Sequence, residues 1–205
     1  MISVSSKPMR PITNASTAPS RTLVEYEKVK FTGTARFTDD GTAYRTRTPN
    51  ETQYFGKPSR ELDQAWDDLI GNRFFYITDK EAQAAFGPNF AQYHVTQYGI
   101  NSELDVMHTL HCVNQVRQAV DSEYYRIDME DNFMRYHIDH CLDIIRQAIQ
   151  CKGDLTIIPT RWFDGIHKGF IDSDQTHTCR NFEKIREWTI RRHNSTPDAW
   201  RPPMP

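Results

Sequence analysis

Two five-residue stretches carry the residues best suited to chemistry: His108-Thr109-Leu110-His111-Cys112 and His137-Ile138-Asp139-His140-Cys141. On an α-helix, residues three and four apart share a face, so each stretch would present two imidazoles and a thiol together. Two such helices packed face to face bring four histidines to one place, as bundles do when they build metal sites from facing helices. A lone His-x-x-His is as readily a surface pair or a satisfied core pair. Here the pattern occurs twice and takes four of the eight histidines. That points to a shared metal site with His108, His111, His137 and His140 as ligands and catalytic residues.

Imidazole suits zinc, copper and iron alike. The chain has no Cys-x-x-Cys pair of the zinc-finger kind and no His-Glu-x-x-His with a built-in base. No carboxylate occupies a ligand position, as the facial triad of non-haem iron requires. Copper is therefore expected, with zinc as the alternative. Asp139 and Asp143 read as outer partners or surface residues.

The four cysteines, Cys112, Cys141, Cys151 and Cys179, are either auxiliary thiolate ligands or two disulfides. Cys141 and Cys151 lie ten residues apart on one expected helix, roughly 15 Å, which is too far to bridge. If the two motifs face each other, Cys112 lies near Cys141 and far from Cys151. The favoured pairing is then Cys112–Cys141 and Cys151–Cys179. Tyr136, Trp162, His177 and Arg180 are candidate substrate contacts. His94 and His167 have no partner pattern, and Trp66, Trp162 and Trp188 read first as packing residues. No Gly-rich phosphate loop or Gly-x-Ser-x-Gly occurs, which removes nucleotide and serine-hydrolase readings.

The elements that must hold the motifs follow from periodicity. A long helix is expected from Ser102 to about Asp121, with Leu104, Met107, Leu110, His111 and Val113 inward. A second runs from about Asp131 to Gln150, with Phe133, Tyr136, His137, His140, Cys141, Ile144, Ile145 and Ala148 spaced for burial. Ser59 caps a shorter helix that ends at Gly71. Thr78 with Glu81 forms a capping box for a helix ending at Gly87-Pro88. Phe74–Ile77 is a short strand. Pro159–Gly169 reads as loop, and a last helix spans about Cys179–His193. Residues 23–48 alternate as an extended arm with a turn at Asp39-Asp40-Gly41.

The fold class is mainly α: a helical core with two facing motif-bearing helices, an extended N-terminal arm and a few short strands. Residues 1–22, rich in Ser, Thr and Pro, form a flexible tail. Residues 23–193 form a single domain, and 194–205 a C-terminal tail. A net charge of -2 without a basic stripe argues against nucleic acid; the basic run Lys184–His193 reads as a solvated helix face. No apolar stretch spans a bilayer and none resembles a signal peptide. Sequons at Asn14, Asn50 and Asn194, with an even cysteine count, hint at a secretory route.

Several stretches in order, Tyr54-Phe-Gly-Lys-Pro58-Ser59 leading to Ala65-Trp66-Asp-Asp-Leu69, the two His-x-x-His-Cys motifs, Ile145-Arg146-Gln-Ala148, Cys151, and His177-Thr-Cys179-Arg180-Asn-Phe182, resemble the UstYa-like family of fungal mycotoxin clusters. The resemblance covers about residues 50–192. It implies oxidative tailoring (cyclisation, hydroxylation, dehydrogenation or halogenation) of a secondary metabolite or ribosomally made peptide, with copper dependence and O₂ or peroxide as oxidant. It maps the family's motif histidines onto His108, His111, His137 and His140. It also implies a homodimer or a heterodimer with a related member. Members usually carry an N-terminal membrane anchor, which is absent from this chain; a lumenal or membrane-associated location is expected if one lay upstream, and a soluble one otherwise. Two alternatives stand beside this reading: a zinc-stabilised, non-catalytic scaffold, and a metal-independent cyclase using histidines as acids and bases.

Overall fold

The computed structural model describes residues 15–45, 49–93 and 95–195. His94, Asn14 and the C-terminal residues from 196 lie outside them. The architecture is mainly α with short strands. Residues Ala15–Leu23, the end of the expected tail, form a 3-10 helix packed on the second α-helix, with Leu23 buried. The arm follows as β1 (Tyr26–Lys30), β2 (Ala35–Phe37) and β3 (Ala43–Arg45). β2 and β3 make a hairpin whose turn uses Gly41 at φ 83, a conformation L side chains resist.

Helix α1 (Arg60–Ile70) begins where the Ser59 hydroxyl accepts from the Leu62 N–H, which satisfies one of the first-turn donors. β4 (Phe75–Ile77) leads to α2 (Asp79–Phe86), closed at its start by the Thr78–Glu81 capping box. β5 (Val95–Thr96) and β6 (Gly99–Ser102) complete a sheet of order β4-β6-β5. Long α3 (Asp105–Val120), short α4 (Ser122–Tyr125) and long α5 (Asn132–Lys152) follow. The hairpin β7 (Thr160–Phe163) and β8 (Lys168–Ile171) precedes β9 (Thr176–Arg180) and α6 (Phe182–Asn194).

Three boundaries differ from the sequence reading. Ser102 does not start α3, because it pairs with Phe75 at the end of β6; α3 begins at Asp105 without a side-chain cap. The expected loop at 159–169 is instead the antiparallel β7–β8 hairpin. Cys179 and Arg180 belong to β9, zipped to the arm strand β1 from Tyr26↔Arg180 to Lys30↔Thr176, so α6 starts only after the Asn181 cap.

Two apolar clusters hold the frame. One joins Phe75, Ile77, Ala82 and Ile100 to Phe90, Leu104 and Trp188. The other joins Trp66, Ile70 and Met107 to Leu104, Leu110, Val113 and Phe182 among others. Leu104 touches both, so the entry to α3 is the hinge pin of the core. Beneath it, Arg117 donates to Asn114, Tyr125 and Asp63, tying α1, α3 and α4 together. α5 packs chiefly on α3, burying only Ile138 and Cys141.

Candidate metal centre

The two motifs meet on the α3–α5 pair. The ring centroids of His108 and His140 stand 5.7 Å apart, those of His111 and His137 6.1 Å, and those of His108 and His111 6.4 Å. Since 108 faces 140 while 111 faces 137, the helices run antiparallel. All four predicted histidines share one open face: three are half-buried and His140 is exposed. Cys112 and Cys141 lie fully buried beneath them as free thiols, next to each other as the facing arrangement predicts. Cys112 Sγ is 3.8 Å from His108 Nε2. Ligand atoms of His108, Cys112 and His140 all fall within 4.8 Å of one another.

The surroundings favour the neutral form of His108 and His111. Burial, and then the Arg73 guanidinium, push His111 down to about 4. Burial, and then His140, lower His108 as well. A neutral imidazole offers the lone pair a metal requires. Burial raises both thiols, Cys141 to about 12; coordination is what would stabilise a thiolate there. The donor set, imidazoles with a buried sulfur and no carboxylate, fits copper or zinc.

The neighbours of the site were only partly legible. Phe133 and Tyr136 are not core residues: they are 73% and 70% exposed, because among the described residues nothing covers that side of α5. Phe133 stacks on His137 at 6.1 Å, which makes it a site residue that periodicity had assigned to burial. Arg73 and Glu103 were missed. Arg73 Nε lies 3.2 Å from Glu103 Oε2, although the angle between them is too poor for a full hydrogen bond. Burial lifts Glu103 to about 7. No local pattern reveals this pair, since it joins the α1–β4 loop to the start of α3. Asp139 and Asp143 pair with Arg135 and Arg146 on the surface.

The remaining candidates sit on other elements. Trp162 is exposed on β7, its indole N–H donating to Asp164. Arg180 ends β9, exposed, opposite Tyr26. His177 is buried on β9, stacked on Phe31 at 3.7 Å, with Nδ1 2.6 Å from Asp154. His167 closes the 3-10 turn between β7 and β8. Cys151 is exposed on the last turn of α5 and Cys179 half-buried on β9, both free thiols. A cleft of about 560 Å³ lies between the arm and residues 49–55. Its lining has no histidine or cysteine.

A family model described as mycotoxin biosynthesis protein UstYa matches residues 1–192. The UstYa family oxidase phomYd of Diaporthe leptostromiformis is 38% identical over 186 residues, 86% of this chain and 62% of its own length. From the same fungus, the UstYa family oxidase phomYc is 34% identical, covering 67% of this chain and 58% of its own. The transacylase cctO of Talaromyces islandicus is 30% identical, covering 72% and 53%. The chain thus spans less than two thirds of the length of these relatives. No solved structure matches.

Proposed function

This chain belongs to the UstYa family, and from that premise we propose that it is a copper-dependent oxidative tailoring enzyme of fungal secondary metabolism. The observation that carries this reading is the convergence of four histidines on one open face. The imidazole ligands are drawn from His108, His111, His137 and His140. Bound copper supplies one-electron oxidation, with O₂ or peroxide as the terminal oxidant. The helix pair holds the rings in register, and its exposed face lets a large metabolite or peptide approach without threading a tunnel. Phe133 and Tyr136 flank the histidines one turn away and give an apolar shelf for substrate. Which oxidation follows, cyclisation, hydroxylation, dehydrogenation or halogenation, depends on the substrate presented there.

Within the metal-independent reading, His111 itself is poorly suited as the base. A general base works best with a pKa near the operating pH, and burial holds His111 near 4. We further place the protein in the secretory pathway, as a homodimer or paired with a related chain. Asn50 and Asn194 stand exposed for glycosylation. Among the described residues no helix is long and apolar enough to cross a membrane.

Metal analysis of protein purified without added metal and then offered copper tests the proposal. Bound copper, lost when all four histidines become Ala in a folded variant, is expected, together with loss of substrate oxidation. Stoichiometric zinc that copper cannot displace would leave a structural scaffold instead.

A further inference from the structure

The histidine face has an approximate two-fold relation. Exchanging the antiparallel helices maps His108, Cys112 and His140 onto His137, Cys141 and His111. The surroundings break that symmetry. Only the first trio brings three ligand atoms within 4.8 Å among the described residues. For a tetrahedral ion with metal–nitrogen distances of about 2.0–2.1 Å and a metal–sulfur distance of about 2.3 Å, nitrogen and sulfur stand about 3.6 Å apart and ring centroids about 5.2 Å. Cys112 Sγ to His108 Nε2 is 3.8 Å, and His108 to His140 is 5.7 Å. Bringing these two pairs onto an ion requires shifts of a few tenths of an ångström. The second trio is looser, with His111 and His137 6.1 Å apart.

Charge points the same way. Asp105 favours positive charge at His108, and the exposed Asp143 interacts favourably with His140. The strongest charge acting on His111 is the Arg73 guanidinium, which opposes a cation there. Arg73 opposes a cation at His108 too, but there the favourable Asp105 charge outranks it, whereas at His111 Arg73 is the leading charge.

Resting on the metal reading above, we infer that one ion binds asymmetrically, with His108, His140 and the Cys112 thiolate as its protein ligands. The fourth position faces the open side, where substrate arrives. His111 and His137 line the approach rather than form the tight site. Cys141 stays a thiol beside Cys112 and donates its S–H to the ligating sulfur. A Cys112–Cys141 disulfide and this ligand role exclude each other, because both use the same sulfur.

Cobalt(II), added alone to the reduced, full chain, tests the assignment. We expect one equivalent bound with a thiolate-to-cobalt charge-transfer absorption, lost in Cys112→Ser and kept in Cys141→Ser. His108→Ala and His140→Ala should weaken cobalt binding at least about tenfold more than His111→Ala. Should Cys112→Ser fail to fold, X-ray absorption of the unaltered protein still decides, through a sulfur neighbour at about 2.3 Å. Bound cobalt with nitrogen and oxygen neighbours alone overturns the Cys112 assignment and leaves the histidine site standing. So does a Cys112–Cys141 bridge that persists in metal-loaded protein. Absence of any bound metal, cobalt or copper, removes the underlying reading itself.

Discussion

Residues of one type behave differently here because of what surrounds them. Glu103 is the sharpest case. Burial lifts its carboxyl to about 7 despite the Arg73 guanidinium 3.2 Å away. Arg73, itself buried, is lowered chiefly by desolvation. Because the folded pKa exceeds the unfolded value, the folded state binds more protons between about pH 4.5 and 7, and stability falls as pH rises through that window. The effect is at most about 3.5 kcal/mol, since a tenfold change in proton affinity corresponds to about 1.4 kcal/mol. His111, lowered to about 4, contributes the opposite slope up to about pH 6.5, so the test is the difference between two proteins: the melting temperature of Glu103→Gln minus that of the unaltered protein should rise as pH goes from about 5 to 8. A difference that stays constant with pH would assign no such role to Glu103. The motif histidines and the nearness of Cys112 to Cys141 were legible, since type and spacing alone specify them. Glu103, Arg73 and the exposure of Phe133 were not. The first two meet only through the tertiary fold, and the third depends on which side of α5 the rest of the fold covers.

Elements announce their starts when a side chain caps them and hide them when a distant partner decides. Ser59 and the Thr78–Glu81 box were readable because the cap bonds are local. The starts of α3 and α6 were not. Ser102 is held by the ladder to Phe75 in β4, and Cys179 by the ladder to Glu27 in β1, far away in sequence. Thr78 caps α2, and Glu81 also receives Arg192 of α6, so the cap fastens two helices to one point. Thr78→Ala should cost about 1 kcal/mol, a drop of about 2–4 °C in melting temperature for a domain of this size. Thermal unfolding by circular dichroism reads this directly; an unchanged midpoint would show that Arg192 alone positions Glu81. Metal binding should be little affected, because α2 lies in the sheet cluster and not on the histidine face.

At the scale of the whole molecule, α5 is the least secured of the long elements. It carries half of the motif histidines, yet it buries only Ile138 and Cys141 and packs chiefly on α3. Its far end has a second attachment: Asp154, just past the Gly153 cap, reaches His177 of β9 at 2.6 Å. Cys151 and Cys179 flank that contact, three residues before Asp154 and two after His177. Both are accessible, unlike the sealed Cys112 and Cys141. In an oxidising compartment we therefore expect Cys151 and Cys179 to pair while the buried thiols stay reduced for the metal. A bridge closing this loop should add about 3 kcal/mol by restricting the unfolded chain. Non-reducing peptide mapping should find Cys151 joined to Cys179, and Cys151→Ser should lower the melting temperature only when reductant is absent. Equal melting with and without reductant in the unaltered protein would mean that the Asp154–His177 contact alone anchors α5. The ribbon that receives this anchor is the β1–β9 pair, so the N-terminal arm, remote in sequence from the motifs, helps hold their second helix in place.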